Sequence, residues 1–152
     1  YICIRIKEIV EMEVDKYGEI LEKAGVKPTS IRILVYKAIE NMEDTFSLGD
    51  LEDELTSVDK SSLFRTLTIL NQHNLIHSVD DGSGSLKYCV CHNHGECTEE
   101  EEHCHFYCEI CKKTYCLEED LIPYIKLPEG FAAHSVNYIV KGICSNCSKK
   151  KH

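Results

Sequence analysis

The fold of this chain is decided by the stretch His103-Cys104-His105-Phe106-Tyr107-Cys108-Glu109-Ile110-Cys111 and by Cys144-Ser145-Asn146-Cys147. Each stretch contains a Cys-x-x-Cys pair, a spacing that lets two thiolates reach one ion from a tight turn. Two such pairs supply four sulfurs in a tetrahedron, which is the closed geometry of structural zinc. The sequence therefore predicts a structural Zn²⁺ bound by Cys108, Cys111, Cys144 and Cys147.

Two other interpretations of these pairs are a set of disulfides and a thioredoxin-like redox centre. The chain has ten cysteines, nine of them between Cys89 and Cys147, and residues 1–13 do not have the pattern of a secretory signal. Clustered Cys and His in a reducing compartment are better explained by metal, and a redox pair would need a βαβ pattern that is not visible. Zinc is the favoured interpretation, and a thiol-based redox switch is its rival.

A second group of potential metal ligands lies before and within the first of these stretches and just after it. Its members are His77, Cys89, Cys91, His92, His94, Cys97, His103, Cys104, His105 and Cys116. On an extended strand His103 and His105 point to one face because the side-chain period is two, and the same holds for Cys89 and Cys91. Mixed nitrogen and sulfur ligands suit a reversible sensor better than a closed structural site. Any of these cysteines can instead be a small free thiol.

Apolar residues at helical spacing predict four helices before this region. The first covers residues 12–24, the second starts at Pro28-Thr29-Ser30, and the fourth runs from about Lys60 to His73. The expected capping residues are Gly25 for the first helix, Ser47 or Asp50 for the third, and Asp59 or Ser57 for the fourth. The runs 75–79 and 86–91, on either side of a Gly-rich turn, predict a hairpin. This order of elements is that of a winged helix-turn-helix.

A second unit begins near Phe106. Its β-prone runs are residues 106–108, 113–117 and 136–140. Residues 118–125 predict a short helix, and the basic tail from Lys149 is expected to be disordered. The predicted fold is therefore α+β. Its parts are a winged-helix domain at 12–88, a Cys/His-rich hinge at 89–102 and a second, metal-binding domain at 103–148.

Composition restricts the class of function. The 152 residues carry a formal net charge of −9, which argues against general nucleic-acid binding, although a specific DNA reader needs only a local basic face. No apolar run approaches the roughly 18 residues of a membrane span, so we expect a cytoplasmic protein with no membrane partner. Neither a nucleophile elbow nor a glycine-rich phosphate loop is visible, so we expect no enzyme activity and no organic cofactor.

Three stretches resemble the ferric uptake regulator (Fur) family, from about Glu19 onward. Ala24-Gly25-Val26-Lys27-Pro28-Thr29-Ser30-Ile31-Arg32 resembles its A-G-x-K-x-T-x-x-R opening. Ser61-Ser62-Leu63-Phe64-Arg65-Thr66-Leu67 resembles its recognition helix, which usually ends T-V-Y-R-x-L. Residues 103–111 resemble its H-x-H-x-x-C-x-x-C signature, which is highly specific when combined with the second Cys-x-x-Cys pair.

The resemblance implies a homodimeric repressor that binds double-stranded operator DNA. It assigns DNA binding to the winged-helix domain at 12–88 and makes the domain at 103–148 a small α/β metal-binding dimerisation domain. It also implies a regulatory ion between the domains, a second Zn²⁺ or an Fe²⁺, that sets the angle of the DNA-binding domains. By motif position the sensor ligands are His77, Cys91, His103, His105 and Cys116. Further possible ligands, from motif position or from the Cys/His clustering, are Cys89, His92, His94 and His134. The DNA-contacting residues are expected to be Lys27, Arg32, Ser61, Ser62, Phe64 and Arg65.

Several positions depart from the family pattern. Phe64 replaces the Tyr of the recognition helix, and the segment of residues 92–102 is longer than is usual in the family. Cys104 occupies a position that is often Asp in the family, and Cys116 occupies a position that is usually Glu. Because thiolate in place of carboxylate favours Zn²⁺ over Fe²⁺ or Mn²⁺, the predicted function is a zinc-sensing repressor. The alternatives are an iron- or peroxide-responsive regulator, the redox switch, and a zinc-binding interaction module without a DNA target.

Overall fold

The computed structural model describes residues 16–42, 44–90, 104–117, 124–134 and 136–150. The predicted ligands that lie outside these ranges are Cys91, His92, His94 and His103. Of Cys116 only the backbone is described. Within the described ranges, none of the helices has the length and apolar character needed to cross a membrane.

Four helices form the first part of the fold. They are α1, described over residues 16–23, α2 (Ser30–Glu40), α3 (Leu48–Glu54) and α4 (Lys60–Gln72). Gly25 follows α1 with a φ of 81°, a left-handed conformation that glycine adopts without steric cost and that commonly ends helices. Thr29 begins α2 because its side chain accepts a hydrogen bond from the backbone N–H of Arg32.

Local hydrogen bonds also fix the starts of α3 and α4. Ser47 is the N-cap of α3 and forms a reciprocal capping box with Asp50, so both residues proposed from the sequence take part. At α4 the N-cap is Asp59 rather than Ser57, and its carboxylate accepts from the backbone N–H of Ser62. These caps set where the helix-turn-helix of α3 and α4 begins.

The helices enclose one apolar core. Its buried members are Tyr17, Leu21, Val26, Val35, Tyr36, Ile39, Phe46, Leu51, Leu63, Leu67, Leu70, Leu75, Ile76 and Tyr88. Along α4 they recur every three or four residues, which is the apolar period of a helix that buries one face. Every member lies between Tyr17 and Tyr88, so the helices and the hairpin after them share a single core.

The hairpin predicted after α4 is present as β2 (Ile76–Val79) and β3 (Lys87–Val90). A two-residue strand, β1 (Phe46–Ser47), pairs with the other edge of β3, which gives an antiparallel sheet of order β1-β3-β2. The sequence did not predict β1, because two residues are too few to show a period of two. In this register His77 of β2 lies opposite Cys89 of β3.

A second sheet has the order β5-β4-β6. Its strands are β4 (Cys104–Cys108), β5 (Thr114–Leu117) and β6 (Tyr138–Gly142), and a short helix α5 (Ser145–Lys149) follows. β5 runs antiparallel to β4 and brings Cys116 opposite His105. β6 runs parallel to β4 and brings Gly142 opposite Cys108, so the chain after β6 returns to the Cys-x-x-Cys turn that follows β4.

Three sequence-based boundaries in this sheet unit differ from the structure. β6 begins at Tyr138 rather than at residue 136, because its ends are set by pairing with β4 and not by local β propensity. Residues 124 and 125 are not helical, and the rest of the helix expected over 118–125 lies outside the described residues. Lys149 ends α5 instead of opening a disordered tail, because α5 carries the buried Cys147.

Hydrogen bonds on Thr114, the first residue of β5, join the two sheet units. Its Oγ1 donates to Oδ2 of the buried Asp81 at 2.6 Å, and its carbonyl oxygen accepts from Oγ1 of Thr45 at 3.0 Å. Burial raises the pKa of Asp81, but hydrogen bonds from Ser83 and Thr114 outweigh it and hold that pKa below its usual range. The ionised carboxylate in the turn between β2 and β3 therefore holds the hairpin against the second sheet.

Candidate metal centre

The four cysteines of the two Cys-x-x-Cys pairs come together in the folded chain. One ligand atom from each of Cys108, Cys111, Cys144 and Cys147 lies within 4.8 Å of all the others. Sulfurs held about 2.3 Å from a central ion in a tetrahedron are themselves about 3.8 Å apart. The Sγ atoms of Cys111 and Cys144 are 3.8 Å apart, and all four residues are free thiols. The arrangement fits a tetrahedral ion with four sulfur ligands.

Backbone turns hold the two cysteines of each pair close together. Cys108 ends β4, and the turn after it closes through a hydrogen bond from the N–H of Lys112 to the Cys108 carbonyl oxygen at 2.9 Å. Lys112 has a φ of 62°, so the chain turns back there towards β5. On the other side Cys144 is the N-cap of α5, whose first turn places Cys147 beside it. The parallel pairing of β4 with β6 brings the two turns together.

The thiols differ in their electrostatic surroundings. The pKa of Cys108 is lowered to about 6, chiefly because the backbone N–H of Cys144 donates to its Sγ at 3.3 Å. The pKa of Cys144 is also lowered, first by a hydrogen bond from the hydroxyl of Tyr115. Burial raises the pKa of Cys147. Thiolates stabilised by nearby donors are the form that binds metal.

The centre is buried on three sides and open at one. Cys108, Cys144 and Cys147 are 0%, 7% and 9% exposed, and Phe106 and Tyr115 pack against them. Cys111 is exposed. This small cluster has few apolar partners, so a bound ion would contribute much of the stability of the second sheet.

Among the described residues, two cross-strand pairs place proposed or possible sensor ligands opposite each other. His77 lies opposite Cys89 in the first sheet, and the buried His105 lies opposite Cys116 in the second. His134 is exposed in the loop before β6. Among the residues whose side chains are described, the one group of three or more ligands around a common point is the four-cysteine cluster. The full sensor set stays a prediction, because Cys91 and His103 lie outside the described ranges.

The proposed DNA-contacting residues lie at the starts of α2 and α4. On α4 Phe64 is 53% exposed, and Ser61 and Arg65 are exposed beside it. Ser62 is engaged within the chain, since its Oγ donates to Asp59 at 2.8 Å. Ser62 therefore stabilises the start of α4, and its hydroxyl proton is already used in this contact with Asp59.

Near α2 the proposed contacts are Lys27 and Arg32. Arg32 is also engaged within the chain, because its Nη1 donates to the carbonyl oxygen of Lys27 at 2.8 Å. The Lys27 side chain is exposed and points its charge to solvent. Arg32 therefore orients the backbone that carries Lys27.

Sequence reasoning missed two contributors to these sites. Tyr115 was not identified beside the cysteines, although it stands four residues after Cys111 and pairs with Phe106 across β4 and β5. Thr114 and Asp81 were not identified either. The contact between them joins residues far apart in the chain, and no local pattern encodes it.

Comparison with known proteins places the chain among metal-dependent regulators. The profile of the "Ferric uptake regulator family" matches residues 23–139. A "Ferric uptake regulation protein" of Campylobacter jejuni is 24% identical over 156 residues, which cover 95% of each chain. A "Zinc uptake regulation protein" of Mycobacterium tuberculosis is 24% identical over 84% of this chain and 98% of its own.

Solved structures share the fold. A "Zinc Uptake Regulator Complexed With Zinc AND DNA" has a TM-score of 0.65 and 16% identity, and the match covers 93% of this chain and 96% of that one. The Vibrio cholerae ferric uptake regulator has a TM-score of 0.59 and 15% identity, and the match covers 84% and 98% of the two chains.

A winged helix followed by a small sheet with four clustered thiols fits a metal-binding transcription regulator. This chain belongs to the ferric uptake regulator family. It is therefore a metal-responsive transcription regulator. One solved structure that shares its fold, the zinc uptake regulator, is a complex with zinc and DNA. The predicted fold class, the family resemblance and the absence of enzyme activity are thereby confirmed at the level of the family.

Proposed function

We propose that this protein is a zinc-sensing repressor that acts in the cytoplasm as a homodimer on operator DNA. The observation that carries the proposal is the pairing of soft ligands in both sheets, His77 with Cys89 and His105 with Cys116. Imidazole and thiolate favour Zn²⁺, whereas sites for Fe²⁺ or Mn²⁺ in proteins use more carboxylate oxygen. Relatives named for iron and for zinc are both 24% identical, so the choice of metal rests on the ligands.

Two ions with separate roles follow from the two ligand groups. The four-cysteine cluster would hold a structural Zn²⁺ that joins β4 to α5. The second ion, Zn²⁺ in the favoured case and Fe²⁺ in the alternative, would take ligands from β2, from the region after β3, and from β4 and β5. A site that draws on both sheet units holds them at one angle.

That angle matters because a dimer reads two half-sites only when its recognition helices have the right spacing. In this proposal His105 and Cys116 are anchored in the second sheet, while His77 and Cys91 belong to the wing hairpin and the residues after it. The hydrogen bond between Asp81 and Thr114 already holds the wing near β5. Binding of the sensor ion would therefore favour one relative orientation of two sheet units that also contact each other through this hydrogen bond.

The choice of metal has a direct test. Operator binding by the dimeric protein is titrated against buffered free Zn²⁺, Fe²⁺ and Mn²⁺ under reducing, anaerobic conditions. We expect Zn²⁺ to tighten operator binding about 10- to 100-fold, as coupling free energies of about 1–3 kcal/mol predict. A response to Fe²⁺ alone would replace zinc with iron as the sensed metal. Loss of binding on oxidation, with no response to any metal, would establish the redox switch instead.

DNA recognition is tested separately, by substitutions in the recognition helix α4 and in the segment just before α2. Arg65→Ala should weaken operator binding about tenfold, since one Arg contact to a base edge is worth about 1–3 kcal/mol. Lys27→Ala should weaken binding to all sequences alike and reduce the dependence on salt by about one phosphate contact. Because the chain carries a net charge of −9, these few cations should dominate the attraction to DNA.

The matched control is Lys126→Ala, which removes one exposed lysine from the second half of the chain. Affinity at fixed salt is measured by fluorescence anisotropy with the operator and with an unrelated duplex. Unchanged operator affinity in both Arg65→Ala and Lys27→Ala would refute the proposed DNA-binding face.

A further inference from the structure

The open side of the four-cysteine cluster faces one tyrosine. Tyr115 lies on β5 opposite Phe106, and its ring packs with Phe106 against the buried cysteines. Its hydroxyl oxygen is 4.0 Å from Sγ of Cys111. Cys111 is the most exposed member of the cluster, so the hydroxyl stands beside the cysteine that solvent reaches most readily.

Hydrogen-bond donors are important around such a cluster because of its charge. Four thiolates and one divalent cation carry a net charge of about −2, and this charge makes the sulfurs strong nucleophiles. A donor that points at a metal-bound thiolate withdraws electron density from the sulfur and stabilises the bound form. Inside the cluster a backbone group has this role at Cys108, where the N–H of Cys144 donates to Sγ at 3.3 Å.

We propose that the Tyr115 hydroxyl has the corresponding role for Cys111 and Cys144, whose Sγ atoms are 3.8 Å apart, as a shared outer-shell donor that slows attack on the exposed Cys111 thiolate and release of the ion. The proposal rests on the four-cysteine cluster of the proposed function holding Zn²⁺. Tyr115 is a positioning residue, since its ring fixes where the hydroxyl lies and the hydroxyl acts on the ion only through sulfur. A tyrosine hydroxyl can donate its single proton while the oxygen still accepts from water.

Tyr115→Phe tests this proposal because it removes the hydroxyl and keeps the ring. Zinc-loaded dimer is treated with iodoacetamide, and the first cysteine to be alkylated is identified by peptide mass spectrometry. In this reaction a thiolate displaces iodide and forms a carbon–sulfur bond. Zinc transfer to a coloured chelator is followed in parallel. We expect alkylation of Cys111 and zinc transfer each to become about 10-fold faster, at the lower end of the effects of outer-shell substitutions.

The matched control is Tyr107→Phe on the neighbouring strand. The Tyr107 ring lies beside Lys141, whose Nζ is 6.0 Å from the ring centroid, and it belongs to β4 rather than to the strand that faces Cys111. This variant should react like wild type. The order of alkylation separates protection from folding, because general loosening of the centre would expose all four cysteines together. Loss of the hydroxyl should instead accelerate Cys111, the exposed cysteine, before the three buried ones.

Two results would overturn the inference. One is a Tyr115→Phe protein whose Cys111 alkylation and zinc transfer stay within twofold of Tyr107→Phe. The other is simultaneous alkylation of all four cysteines, which would make Tyr115 a packing residue. Wild-type protein purified without zinc would instead refute the structural metal of the proposed function, and this outcome is recognised from metal content before any alkylation is done.

Discussion

Replacing Cys108 with Ser should remove one zinc per chain and unfold the second sheet unit while the N-terminal helices stay folded. Cys108 is fully buried at the end of β4, and its sulfur accepts from the backbone of Cys144. Structural zinc sites supply roughly 10–16 kcal/mol of binding free energy that becomes folding free energy. The apolar partners of this cluster are few, so its packing cannot replace that contribution.

Calorimetry and metal analysis measure this effect. We expect the unfolding transition of the second unit to be absent, since a loss of this size reaches the total stability of about 5–15 kcal/mol of a typical domain. The transition of the N-terminal core should remain, because its members all lie between Tyr17 and Tyr88. Cys104→Ser, on the same strand but outside the cluster, is the control and should keep its structural zinc. Full zinc content and wild-type melting in Cys108→Ser would refute the structural site.

His105→Ala and Cys91→Ser should produce the opposite combination, a folded dimer whose operator binding no longer responds to zinc. His105 is 6% exposed on β4, in the second sheet, whereas Cys91 directly follows β3 of the wing. Loss of either ligand should leave the two units without their common ion. The 10- to 100-fold tightening expected for wild type should then fall to roughly twofold or less.

This experiment has an internal check and a matched control. By thermodynamic linkage, operator DNA should tighten zinc binding at the sensor site of wild type by the same factor as zinc tightens DNA binding. His73→Ala removes an exposed imidazole at the end of α4, outside the proposed ligand groups, and should respond like wild type. If His105→Ala unfolds as Cys108→Ser does, the second ligand group is another structural site. If wild type binds its operator equally with and without zinc, the sensing proposal is wrong.

Periodicity and cap chemistry, which act over a few residues, made the helices predictable from the sequence. The capping box of Ser47 and Asp50 and the cap at Asp59 both follow residue types at fixed spacing. The four-cysteine cluster was predictable for a similar reason, because Cys-x-x-Cys turns specify their own local geometry. The local sequence does not show that the two turns lie side by side, because that proximity comes from the pairing of β6 with β4.

Features that depend on residues far apart in the chain were either missing from the sequence-based prediction or predicted at the wrong position. β6 begins at Tyr138 because its register comes from β4, and β1 forms because β3 offers it an edge. The hydrogen bond between Asp81 and Thr114 joins a hairpin turn to another sheet, and nothing in either local sequence indicates it. The sensor ligands were proposed from motif position, and their arrangement beyond the two cross-strand pairs stays a prediction.

The distribution of the four cysteines along the chain also sets an order of events during synthesis. The N-terminal core is complete once Tyr88 has left the ribosome, and domains generally fold as units in the order they emerge. Cys108 and Cys111 appear soon afterwards, but two thiols make only half of a tetrahedral site. Cys144 and Cys147 arrive last, together with β6, the strand that pairs in parallel with β4. Capture of the structural ion that we propose would therefore be a late step of biogenesis, and without that ion nascent chains would accumulate with a finished N-terminal core and an unfinished second sheet.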